Sequence, residues 1–168
     1  MIRHRDATSL LYALILGSIV FVHSARALAA GAPALPGKDP LAACQALAQT
    51  QIPATQFSLP TGGAVVTTAT LVRATDAGNS NGEYCKVTGA IKPVDPNAPE
   101  IRFQVNLPTH WNGKALQHGG GGYNGVMPNT LGVEKLGDPR KPTPLARGFI
   151  SFASDSGHQA RDNNDASF

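Results

Sequence analysis

The chain has 168 residues, 42% of them hydrophobic and 15% charged, enough for one ordinary domain and the balance of a globular protein rather than a disordered one. Its formal charge of +3 is carried largely by the first segment: residues 1–27 hold Arg3, Arg5, Arg26 and Asp6, and without them the 14 basic and 11 acidic side chains become 11 and 10. No basic stripe with interleaved aromatics remains, which argues against nucleic acid as a partner.

Taken in chain order, Arg3, His4 and Arg5 precede an uncharged apolar run of 13 residues, Leu10 to Val22, and small residues at A-x-A spacing follow around Ala25, Ala27 and Ala29. The run is short of the roughly 20 residues that span a bilayer, so it is read as a secretory signal peptide over residues 1–27, cleaved after Ala27 or Ala29, rather than as an anchor. Secretion or a periplasmic location is expected, with no membrane association after cleavage. Residues 28–38 are rich in Ala, Pro and Gly and form a flexible lead-in. Export places Cys44 and Cys85 in an oxidising compartment, where a pair persists as a disulfide; two buried thiols are the other reading. With no histidine pair nearby, the cysteines do not suggest a metal site.

Asp39-Pro40 supplies an N-cap and a proline at the first helical position, and Leu41, Cys44 and Leu47 recur at spacings of three, predicting a short helix that ends near Thr50 with Cys44 facing inward. From Ala64 the pattern changes to β-branched alternation. Strands are predicted over 64–72, 84–91 and 100–107, with Cys85 on the second. Trp111-Asn112-Gly113 marks a turn before a fourth strand at 114–118, which runs into the sequence Gln117-His118-Gly119-Gly120-Gly121-Gly122-Tyr123-Asn124-Gly125. Thr143-Pro144 opens at most one helical turn that Gly148 ends, and Phe149 to Ala153 is a fifth, mostly apolar strand of the kind found inside a sheet.

Four patterns bear on chemistry. Gly120-x-Gly122-x-x-Gly125 matches the dinucleotide fingerprint, but Pro128 and Gly132 break the helix whose N-terminus would hold the pyrophosphate. Gly78-x-Ser80-x-Gly82 matches the nucleophile elbow of hydrolases but lies in a polar loop leading into a strand, so Ser80 is read as a turn residue. Asp155 and His158 are three residues apart, a spacing that suits a loop-shaping hydrogen bond better than a catalytic pair drawn from separate loops. His118 followed by glycines is the most informative, because an H-G-G-G run after a strand can present backbone N–H groups to an oxyanion without a Cβ in the way.

The segments Tyr84 to Pro93, Ile101 to Gly125 and Pro144 to His158, with Cys44-x-x-Leu47 ahead of them, together resemble the N-terminal part of the tannase and feruloyl esterase family. The resemblance implies a secreted serine carboxylesterase with an α/β-hydrolase core and a lid domain, acting on small esters of phenolic or other aromatic acids. It implies that the counterparts of Cys44 and Cys85 are disulfide-bonded, and that Gly122, with Gly121 beside it, lies at the oxyanion hole. The family's nucleophile sits in a G-C-S-x-G-G motif, its acid and base lie farther along, and its lid can hold calcium; none of these elements occurs in the 168 residues. Residues 39–168 are therefore expected to form the N-terminal fragment of an α/β-hydrolase catalytic domain, a mixed β-sheet without nucleophile, metal or cofactor and inactive alone. The other reading is a self-contained, disulfide-stapled β module that grips a phenolic or sugar ligand with Trp111, Tyr123 and the glycine loop.

Overall fold

The computed structural model describes residues 39–134, 137–161 and 164–166; the expected signal peptide, lead-in and cleavage position lie outside the described residues. Helix α1, Pro40–Gln45, starts as its sequence dictates: Asp39 caps it through a carboxylate that accepts from Leu41 N at 2.9 Å, with proline at N1. It stops earlier than the expected Thr50. Gln49 takes a positive φ of 64° and its N–H goes to Val66 O at 3.0 Å, while Val66 N–H goes to Thr50 O at 3.0 Å. Backbone pairing with the sheet outcompetes further helical turns, and a six-residue helix has little stability of its own to resist. The segment continues into a two-residue strand, β1, Gln51–Ile52, which the sequence did not suggest because Pro53 follows it at once.

The remaining strands are β2, Ala64–Val72; β3, Tyr84–Ile91; β4, Ile101–Pro108; β5, Ala115–Gln117; and β6, Ile150–Ser154. β2 and β3 fall where the alternation places them, β4 and β6 sit one residue later than expected, and β5 is trimmed at both ends. Their spatial order is β1-β2-β3-β4-β6-β5, antiparallel throughout except for the parallel pair β5 and β6. The fifth apolar segment is thus an interior strand, as its composition predicts. Its two faces differ, however: Ser151 and Ala153 are buried, whereas Ile150, Phe152 and Ser154 are only partly covered.

One face of the sheet carries the apolar core. Val66, Cys85 and Val87 are buried there with Cys44 of the helix, and Phe103, Val105 and Leu107 pack around them. A bulge between Val66 and Thr68 lets Val66, Ala69 and Leu71 all face this side, since an unbroken strand would send the last two to the other. Opposite Phe103, β3 has Gly89, where a Cβ would overlap the Phe103 ring and Val65 O. The aromatic ring occupies the space a side chain would need. Cys44 and Cys85, both with 0% exposure, are joined by a disulfide that staples α1 to β3. In the chain-entropy account, a closure across 41 positions stabilises by about 4 kcal/mol.

Candidate active site

The parallel pair decides where the site lies. In sheets with parallel strands, ligands bind beyond the carboxyl ends, where the two following loops face each other. After β5 comes the glycine run; after β6 comes Asp155-Ser156-Gly157-His158. His118 N–H bonds Phe152 O at 2.8 Å, carrying the ladder up to the first glycine. Beyond it the loops are tied together: Asn124 Nδ2 donates to Ser156 Oγ, Ala160 N donates to Gly125 O at 3.0 Å, and His158 Nδ1 lies 3.4 Å from Tyr123 O. Two motifs that are 30 residues or more apart in sequence therefore form one structure.

Backbone geometry there is strained. Of the four described non-glycine residues with positive φ, three (Asn124, Ser156 and Gln159) are in these loops, each at a cost of about 1–3 kcal/mol. Gly125 has φ +88°, and a Cβ on it would come within 2.6 Å of Ala160 Cβ and 2.7 Å of His158 Nδ1, so only glycine allows the second loop to close against the first. Gly122, at φ +57°, is the second residue of a turn closed by Asn124 N–H to Gly121 O at 2.9 Å.

A cleft of about 490 Å³ opens beside the run, lined by Leu116, His118 and Gly119 to Gly121 and by the later segment Val126 to Asn129, with Glu134. Gly121 thus borders the cleft directly; Gly122 follows it into the turn and is exposed. His118 Nε2 and Asn124 Oδ1 are shielded from solvent and make no hydrogen bond. Burial pushes the His118 imidazole below its ordinary value of 6.5, against an opposing pull from the Glu134 carboxylate, so the ring is neutral at pH 7.

The other sequence candidates resolve plainly. Ser80 is exposed in the β2–β3 hairpin loop, where Asn79 Nδ2 bridges Arg73 O and Gly82 O, and no strand leads into it as a nucleophile elbow requires. Among the described residues no helix begins at the end of the glycine run, as a dinucleotide site requires; the next helical turn is the 3-10 turn Leu145–Arg147. Asp155 is buried at 4% exposure, and its Oδ1 accepts from Arg102 N and Gly157 N, both at 2.9 Å, so its carboxylate ties the loop to β4 as well as to its own backbone. Trp111 Nε1 donates to Lys114 O at 2.7 Å, closing the turn before β5, and Tyr123 is 58% exposed at the tip of the glycine loop.

The sequence did not reveal a polar cluster in which Asn106, Thr130 and Ser151 are buried and Gln104 is partly covered. Gln104 and Asn106 alternate with apolar neighbours along β4, which reads as a solvated face. The available signal was Ser151, a lone hydroxyl within the apolar stretch Phe149 to Ala153.

A mixed sheet with few helices, whose glycine loop and companion loop meet past a parallel pair, is consistent with part of an α/β-hydrolase fold. Residues 85–168 match the model of the tannase and feruloyl esterase family, and the chain belongs to that family. It is 58% identical over 125 residues to an uncharacterized esterase of Agrobacterium fabrum, covering 74% of this chain and 23% of that protein. It is also 36% identical over 89 residues to the mono(2-hydroxyethyl) terephthalate hydrolase of Piscinibacter sakaiensis, covering 50% of this chain and 14% of the hydrolase. The chain therefore spans less than a quarter of the length of either relative.

Proposed function

We propose that this chain is the oxyanion-hole portion of a secreted or periplasmic serine carboxylesterase that hydrolyses small esters of phenolic and other aromatic acids. The observation that carries the reading is the position of the glycine run: it lies within the family match, at the carboxyl end of the parallel pair, and it borders a cleft. The buried disulfide suits an oxidising compartment.

Ester hydrolysis passes through a tetrahedral intermediate whose former carbonyl oxygen carries negative charge. Backbone N–H groups of Gly121 and Gly122 would donate to that oxygen, and one such donor lowers the barrier by about 3–4 kcal/mol. On this reading the nucleophile, its base and the acid that orients the base would come from residues other than these 168, which contain no G-C-S-x-G-G. We assign no cofactor to this portion.

The experiment has two arms. The 168-residue product is expected to leave methyl gallate and methyl ferulate intact, and hydrolysis blocked by a serine-directed inhibitor would place a nucleophile within it. A chimera in which this chain's matching 125-residue stretch replaces its counterpart in the Agrobacterium fabrum esterase is expected to hydrolyse aromatic-acid esters. Loss of all ester hydrolysis in a folded chimera would overturn the reading.

A further inference from the structure

The part of the cleft lining made by residues 126–129 has no helix or strand of its own, yet it is fixed at both ends. At one end Gly125 is clasped by Ala160 and His158. At the other, Thr130 is 2% exposed and sits on the sheet over Asn106 and Ser151, each 0% exposed. Asn106 Nδ2 donates to Thr130 Oγ1 at 2.8 Å and to Ser151 Oγ at 3.0 Å. Ser151 Oγ donates in turn to Thr130 O at 2.7 Å, and Gln104 Nε2 to Thr130 Oγ1 at 2.7 Å and to Asn106 Oδ1 at 3.2 Å. Both N–H groups of each amide are used. The cluster grips Thr130 by side chain and backbone together.

A buried polar cluster at the centre of a sheet is a poor way to gain stability, since apolar residues of the same volume serve as well; what it supplies is a single arrangement in place of many similar ones. Here the arrangement it fixes is functional in position. The register pairs Asn106 with Ser151 and Ser151 with Leu116, so the cluster and Leu116 share one face of the sheet, and Leu116 lines the cleft. Between the two anchors, Val126, Met127 and Pro128 form an apolar wall of the same cleft that the glycine run lines.

We propose that Thr130, held by Asn106 and Ser151, is a positioning residue that sets the distance between this wall and the glycine run, and that the wall receives the aromatic ring on the acid side of the ester. The proposal rests on the esterase reading for its substrate but not for its anchoring, and the two are tested separately.

Amide hydrogen exchange on the 168-residue chain tests the anchoring. Thr130→Val keeps the shape and removes the hydroxyl; exchange across residues 126–132 is expected to rise about tenfold or more while β2 and β3 are unchanged, with Thr130→Ser restoring protection. Ser151→Ala is a milder second variant, expected to move the same amides in the same direction. Unaltered exchange in both would overturn the anchoring. In the chimera, Thr130→Val is expected to lower kcat/KM for methyl 4-hydroxybenzoate at least about fivefold and to change methyl acetate less than about twofold, which simple loss of folded enzyme would not do. Equal losses, or a loss confined to phenyl acetate with its ring on the alcohol side, would overturn the ring assignment. A folded chimera inert on all three esters would overturn the esterase reading and the ring assignment with it.

Discussion

At the scale of single residues, the site is built from positions where a side chain is absent or confined. Gly125 shows this best, since its φ of +88° and its contacts with Ala160 and His158 act together. Gly78, at φ +79° with open space around it, has the strain alone. Gly125→Ala is therefore expected to lower stability by about 2–4 kcal/mol and Gly78→Ala by about 1 kcal/mol, read from urea midpoints. His118 gives a pH prediction. Its folded value lies below 6.5, so the unfolded chain takes up the proton first, and stability present above about pH 6.5 is lost as the pH falls through it. Melting temperatures taken between about pH 7.5 and pH 5.5 should show this loss in the parent chain and a smaller one in His118→Asn. The glycine run and His118 were legible in the sequence because glycine repeats are costly unless used. The burial of Asn106 and Thr130 was not, because a polar residue alternating on a strand looks the same whether water or another polar side chain meets it.

At the scale of elements, periodicity placed the long strands, and tertiary pairing decided the short ones. β2 and β3 carry enough β-branched alternation to define their own bounds, whereas β1, with two residues, exists only because β2 offers it a partner. The early end of α1 has the same cause: Gln49 and Thr50 bond to Val66 instead of continuing the helix. The bulge in β2 was also hidden, since the sequence from Val65 to Leu71 is compatible with either face until Cys85 fixes which is inside. The disulfide is the element-scale device with the largest expected effect. Replacing both Cys44 and Cys85 by Ala is expected to cost about 4 kcal/mol, observed as a lower urea midpoint for the variant than for the oxidised parent. If the midpoints coincide, α1 is held by packing alone and the staple contributes nothing.

At the scale of the whole molecule, the described sheet is a platform that brings two loops together and backs them with a polar cluster. The family was legible because the strand segments, the glycine run and the loop after β6 occur in one sequence arrangement, and the mixed sheet is consistent with part of the fold that arrangement implies. The meeting of the loops was not legible, because the insertion of β6 between β4 and β5 is a long-range event that local patterns do not encode. The central claim is that the backbone N–H groups at Gly121 and Gly122 stabilise an oxyanion. Its most direct test is the kcat for methyl gallate of the chimera carrying Gly122→Val, where a β-branched residue cannot keep φ +57° and the peptide must turn its N–H away. The account predicts that kcat falls about 10²–10³-fold with KM little changed. A kcat within about threefold of the parent would contradict it.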